Sequence, residues 1–215
     1  MRITGGQHGG RILKVPKGLD VRPTPDKVKQ AVFNSLGARV VGARVLELFA
    51  GSGALSLECL SRGAVSVLCV ELSSRHAEFI RRNAANPEFP AGALQVRVQD
   101  AFTALHQLAD AGQQFNLILA DPPYGEKNVG RRSESLAQQT LDDVNLPKLL
   151  APDGLLVLGH TKRDTLELPA HLTETKLMRH GDTVMRFCVP LATLHERRFG
   201  GHRPPSPSPT RSINK

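Results

Sequence analysis

The 215-residue chain has no apolar run of about 18 residues, so nothing in it is expected to span a membrane. Its opening Met1-Arg2-Ile3-Thr4-Gly5-Gly6 lacks the apolar stretch of a secretory signal. Cysteine is scarce: Cys59, Cys69 and Cys188 are the only three. Being odd in number and far apart, they offer neither a disulfide framework nor zinc-ligand spacing, and no metal is expected. Their apolar surroundings are those of buried thiols, which fits a reducing cytoplasm. Hydrophobic residues make up 40% of the chain, slightly under the usual globular share, so a core is expected without surplus. The length suits one α/β domain with appendages.

What is present is positive charge, and it is unevenly placed. The formal net charge is +8. Residues 1–30 hold seven Lys/Arg against two acids, and residues 191–215 hold five against one. The body between them is nearly neutral, with 16 bases and 17 acids. Charge clustered at two ends is the footprint of a polyanion partner, because each neutralised phosphate releases counterions. A pair of solvated basic tails would give the same count.

Ile3-Thr4 and Arg11–Val15 flank a glycine-rich stretch, which reads as a small basic hairpin. Thr24-Pro25-Asp26 has the form of a helix start, with a capping hydroxyl, a first-turn proline and an acid at the positive dipole end. Val28, Ala31, Val32, Ser35 and Leu36 follow at helical spacing until Gly37. From Arg44 onward strand and helix patterns alternate, the sign of a parallel sheet with crossover helices. Strands are expected at Val45–Phe49, Ser66–Leu72, Leu94–Val98, Phe115–Ala120, Leu155–Gly159, Leu172–Met178 and Thr183–Val189. Helices are expected near Ala54–Ser61, Ser74–Asn86, Ala101–Ala109 and Glu134–Leu150, the last broken by Pro147. The Pro/Ser-rich tail beyond Leu194 cannot bury enough apolar surface to offset its ordering entropy, and disorder is expected there.

Two loops carry chemistry. The first strand runs through Phe49-Ala50-Gly51-Ser52-Gly53 straight into a helix, where glycine permits a tight turn and close backbone approach to a ligand. Glu71 ends the next strand, twenty positions after Gly51, and an acid there can accept both ribose hydroxyls of an adenosine-containing cofactor. Ser56 stands where a dinucleotide site usually has its third small residue, which weakens a nicotinamide reading. Asp100 ends a third strand; it either caps the following helix or accepts from an adenine amino group.

The second loop is Asp121-Pro122-Pro123-Tyr124 at the end of strand Phe115–Ala120. Consecutive prolines make a rigid elbow at a strand's carboxyl end, where open α/β sheets hold ligands. The elbow can offer the Asp121 carboxylate and the Pro122 carbonyl as two acceptors to the two N–H donors of a planar amino group. Tyr124 offers a stacking face. Accepting both N–H bonds out of the ring plane favours the pyramidal, nucleophilic nitrogen, and Asp121 can stabilise the charge that develops on it.

Together these motifs resemble the amino-methyltransferase class of Rossmann-like methyltransferases. Arg2-Ile3-Thr4-Gly5-Gly6, Gly10-Arg11, Arg22-Pro23-Thr24, Phe33-Asn34, Leu46–Leu55, Leu57-Glu58 and Leu60–Ala64 further resemble the bacterial 16S ribosomal RNA guanine-N2-methyltransferases, the RsmD-like proteins. The resemblance implies a seven-stranded, mostly parallel sheet with helices on both faces and its last strand antiparallel. It implies that Phe49, Ala50, Gly51, Ser52, Gly53, Glu71, Leu72, Asp100 and Ala101 hold S-adenosylmethionine. Asp121, Pro122, Pro123 and Tyr124 would hold the guanine, within a small-subunit assembly particle. The division expected is 1–37 as a basic hairpin-and-helix extension, 38–193 as the methyltransferase domain and 194–215 as the tail. In the extension Arg2, Arg11, Arg22, Lys27 and Lys29 are the candidates for clamping RNA backbone. Lys29 stands where the family usually has Arg, and His160-Thr161-Lys162 where it tends to carry an acid. An adenine-N6 DNA or protein-amide methyltransferase usually shows Asn in place of Asp121. A non-catalytic RNA-binding assembly factor would not need Gly51, Glu71, Asp121 and Tyr124 together.

Overall fold

In the computed structural model, which describes residues 1–15, 24–85, 89–124 and 132–191, strands and helices alternate from Arg44 onward as their apolar patterns require. After α1 (Asp26–Leu36) and a 3₁₀ turn come β1 (Arg44–Leu48), α2 (Ala54–Ser61), β2 (Ser66–Glu71), α3 (Ser74–Ala84), β3 (Leu94–Val98), α4 (Ala101–Asp110) and β4 (Phe115–Ala120). The second half holds α5 (Leu136–Asp142), α6 (Leu146–Leu149), β5 (Leu150–Thr161), β6 (Leu172–His180) and β7 (Thr183–Pro190). The strand order is β3-β2-β1-β4-β5-β7-β6. β1 pairs in parallel with β2 and β4, and β7 runs antiparallel to both its neighbours, β5 and β6. The order reverses between β1 and β4, the switch point at which such sheets open a crevice.

Alternate side chains of the central strands feed two cores. Val45, Leu117 and Leu119 face one side with α2, α3 and α1, while Leu46, Leu48 and Ile118 face the other with α4, α5 and α6. Each fully buried aliphatic side chain contributes about 1.5–3 kcal/mol. Ile3, Leu13, Val28, Val32, Phe33 and Leu36 join the first core, so the hairpin and α1 pack directly on the sheet's helical layer. The hairpin is slighter than its pattern suggests: one antiparallel bridge, Arg2 to Ile12, braced by Ile3 N–H donating to the Arg11 carbonyl at 2.9 Å. Gly6 is required there, because a Cβ would lie 2.0 Å from the Ser61 carbonyl oxygen of α2.

Three expectations need correction. Thr24 does not cap α1, whose first turn starts at Pro25 without any side-chain cap. The helix expected over Glu134–Leu150 is two, and the break falls at Asp143, extended at ψ 120°, before Pro147, which opens α6 at its first turn. The buried stripe of α1 is Val28, Lys29, Val32, Phe33 and Leu36, rotated from the one read off the sequence. Arg22 and the tail 194–215 lie outside the described residues. Among the described residues no helix is long and apolar enough to cross a membrane.

Candidate active site

β1 ends one residue early because Phe49 adopts φ +56°, the only positive φ of a non-glycine among the described residues. A bulky residue held there costs about 1–3 kcal/mol, and such strain collects at ligand sites. The turn continues through Gly51 and Gly53, the latter at φ +70°, where a Cβ would meet Ile80 at 2.8 Å. Glu71 then ties this loop to β2: Oε2 accepts from Gly51 N–H at 2.6 Å and Oε1 from Ser73 N–H at 2.8 Å. His76 Nδ1 lies 3.3 Å from Oε1. A carboxylate has about four lone-pair positions, so Glu71 keeps acceptor capacity for a ligand hydroxyl.

The carboxyl ends of β1, β2, β3 and β4 open into a cavity of about 690 Å³, within the usual range for small-molecule sites. Its lining brings together Phe49, Gly51, Glu71, Leu72, Asp100 and Ala101 from the first loop set with Asp121, Pro122, Pro123 and Tyr124 from the second. Ala50, Ser52 and Gly53 belong to the same turn but are not part of that lining. Asp100 does cap α4, accepting from Thr103 N–H at 2.9 Å, and lines the cavity as well. Phe49 and Phe102 meet edge to face at 6.1 Å and supply apolar wall. Among the described residues two buried polar atoms on the lining have no hydrogen-bond partner, His76 Nε2 and Asp121 Oδ1. A ligand carrying hydroxyls, an aromatic ring and an amino group fits this set of acceptors and apolar walls.

Asp121 lines this cavity with one carboxylate oxygen buried. Burial pushes its pKa above the ordinary value, against a hydrogen bond from the Thr24 hydroxyl at 2.6 Å. Tyr124 OH donates to Thr183 Oγ1 at 3.1 Å, which fixes the ring at the cavity wall.

A family model described as "Conserved hypothetical protein 95" matches residues 1–189. The chain belongs to this family, that of the RsmD-like ribosomal RNA methyltransferases. The Bacillus subtilis protein named "Putative rRNA methyltransferase YlbH" is 35% identical over 179 residues, 83% of this chain and 91% of that one. "Ribosomal RNA small subunit methyltransferase D" of Escherichia coli K12 is 40% identical over 124 residues, 58% of this chain and 60% of the relative. Among solved structures, "Putative methyltransferase yhhF from Escherichia coli" superposes with a TM-score of 0.74 at 31% identity, covering 89% of this chain and 98% of that one. The sheet is thus the Rossmann-like class I methyltransferase fold.

The basic arm of this RsmD-like chain is split by the structure. Arg2 is exposed and paired with Asp26 at 2.9 Å, Lys27 is exposed, and Arg11 lies over the Phe89 ring at 5.7 Å. Lys29 is not on the surface at all: its side chain is 0% exposed, with Nζ 3.3 Å from Asp26 Oδ1 and donating to the Arg2 carbonyl. A lysine so enclosed holds α1 against the hairpin and cannot reach a phosphate. Its spacing gave the signal, since Lys29 stands four residues before Phe33 and seven before Leu36, on the buried face.

Two carboxylates inside the family-like stretches carried no assigned role in the sequence. Glu47 of β1, fully buried, accepts from Ser56 N–H at 2.9 Å and from the Ser56 hydroxyl, bracing the first turn of α2 beneath the glycine loop. Burial pushes its pKa up to about 8, with Asp121 and Glu71 adding repulsion. Glu58 of α2 is buried against the hairpin. Acids inside an otherwise apolar strand and helix are the one sequence signal that marks them.

Proposed function

We propose that the protein transfers a methyl group from S-adenosylmethionine to the exocyclic N2 amine of a guanine in small-subunit ribosomal RNA, acting in the cytoplasm on an assembly particle. The family supports ribosomal RNA methylation. The observation that carries the finer reading is Asp121, a part-buried carboxylate with one oxygen held by Thr24 and the other buried without a partner among the described residues, on a di-proline elbow beside an aromatic ring.

The cofactor supplies an electrophilic methyl group on a sulfonium. Phe49–Gly53 and Glu71 hold it through loop backbone and the Glu71 carboxylate, with Leu72, Asp100 and Ala101 at the rim. The chain's other residues prepare the nucleophile. Asp121 Oδ1 and the Pro122 carbonyl accept the two N–H bonds of the target amine. Its lone pair, otherwise delocalised into the ring, is thereby freed. As the nitrogen gains positive charge, the adjacent carboxylate stabilises it. The raised pKa makes Asp121 a stronger base than an ordinary carboxylate, suited to take the surplus proton. Pro123 keeps the elbow rigid, and Tyr124, tethered to Thr183, stacks on the base, worth about 1–3 kcal/mol. A guanine must leave its stack to reach this cavity, which single-stranded loop bases do readily.

Arg2, Arg11 and Lys27 are the proposed backbone ligands, with Arg22 retained on sequence grounds. The test is transfer of labelled methyl from S-adenosylmethionine to undermethylated small-subunit particles. Label in the RNA is expected; label absent from RNA while the cofactor binds would overturn the reading.

A further inference from the structure

Thr24 belongs to the Arg22-Pro23-Thr24 stretch, to which neither cofactor nor base assigns a task. It stands one residue before Pro25, the cap position of α1, and its hydroxyl donates not to that helix but across 97 positions to Asp121 Oδ2 at 2.6 Å. A hydroxyl has one proton, so this bond commits it. Asp121 Oδ1 is buried without a partner among the described residues. Beside it runs β5, where a Cβ on Gly159 would lie 2.2 Å from Oδ1; glycine there leaves the oxygen its room.

We propose that Thr24 is a positioning residue for methyl transfer, its hydroxyl setting the plane of the Asp121 carboxylate so that Oδ1 faces the target amine. The inference rests on the base-methylating reading of the same site. Rotation of a carboxylate about its last torsion is soft, so without a fixed donor the plane of the group, and with it the direction of the oxygen facing the cavity, is not held. A charge-assisted bond to one oxygen removes that freedom. The same bond favours the anion where burial favours the neutral acid, and only the anion offers both oxygens as acceptors. Thr24 is itself held: Pro25 follows it at φ −58°, and Asp26 after that binds Arg2 and Lys29 of the basic arm. The arm and the carboxylate are therefore joined within three residues.

The test compares Thr24→Val, which keeps shape and loses the hydroxyl, with Thr24→Ser, which keeps the hydroxyl. Cofactor affinity is read by calorimetry, and kcat and KM on undermethylated particles are read across pH. Thr24→Val is expected to lower kcat by about 10–100-fold, the range set by a hydrogen bond to a charged group, with KM and cofactor affinity unchanged. Its acid limb should move to higher pH, because Asp121 loses the donor that favours its anion. Among the described residues the other titratable groups on or beside this cavity are Glu47 on β1, Glu71 ending β2, His76 on α3, Asp100 before α4 and Tyr124 on the elbow itself, none of which the substitution alters. Thr24→Ser should restore both kcat and the limb. A Thr24→Val enzyme with wild-type kcat and limb overturns the inference, as does a Thr24→Ser enzyme no better than Thr24→Val. A wild type without turnover overturns the methyltransferase reading and this inference with it, so the two failures are told apart by the wild-type control.

Discussion

Glu58 of α2 grips Thr4 of the hairpin with both carboxylate oxygens, Oε2 accepting from Thr4 N–H at 2.6 Å and Oε1 from Thr4 Oγ1 at 2.8 Å. Arg62, one turn on, donates to the same Oε1 at 2.8 Å and lies over the Phe33 ring at 5.0 Å. One buried acid thus joins the hairpin, α1 and α2. Glu58→Ala would leave Arg62 and the Thr4 amide without their acceptor. The expected loss of stability is about 3 kcal/mol, since breaking a largely buried pair strands its partner. Urea denaturation measures it, and amide exchange should rise first at Ile3 and Leu13. Exchange unchanged at those residues would mean that the hairpin does not depend on Glu58.

Lys29 and Lys27 separate buried charge from exposed charge. Lys29→Met should cost about 1–3 kcal/mol of stability, through the lost bonds to the Arg2 carbonyl and Asp26, and leave the salt dependence of RNA binding unaltered. Lys27→Ala should do the reverse, flattening the slope of log K against log salt by about one unit while stability holds. A flattened slope in Lys29→Met would contradict the burial of that side chain.

Glu47 predicts a pH dependence of stability. Its folded pKa of about 8 lies above the ordinary carboxyl value of 4.5, so the folded state holds a proton that the unfolded state releases. The unfolded chain then binds fewer protons across that window, and stability falls as pH rises through it. The contribution is fully present below the unfolded value and lost as pH approaches the folded one. Glu47→Gln, which cannot ionise, should escape this loss, so its stability relative to wild type should climb steadily over the same window. Parallel stability curves would show that Glu47 is ionised in the fold.

Asp121→Ala should lower turnover by about 10²–10³, the usual loss for one electrostatic stabiliser, with cofactor affinity retained. Turnover equal to wild type would remove Asp121 from the chemistry.

The sheet was legible because its strands are apolar runs closed by turn residues, and Leu94–Val98, Phe115–Ala120 and Ala54–Ser61 match their elements to the residue. Phe49 was not legible as the strand's end, since a left-handed Phe has no signature in a sequence that continues apolar. The site's two loops were legible because glycine, proline and acid at strand ends have few other uses. Thr24 was not: the local capping geometry and a bond to Asp121 97 positions away ask for the same hydroxyl, and only the tertiary fold decides between them. Lys29, Glu47 and Glu58 share that property, each a charged residue whose partner is supplied by packing.

The acceptor atom decides the proposed reaction. Nucleoside mass spectrometry of undermethylated small-subunit particles, incubated with protein and S-adenosylmethionine beside naked RNA, tests it most directly. N2-methylguanosine appearing in the particles is the predicted result. Methylation of a different base, or none in either sample while the cofactor binds, would contradict it.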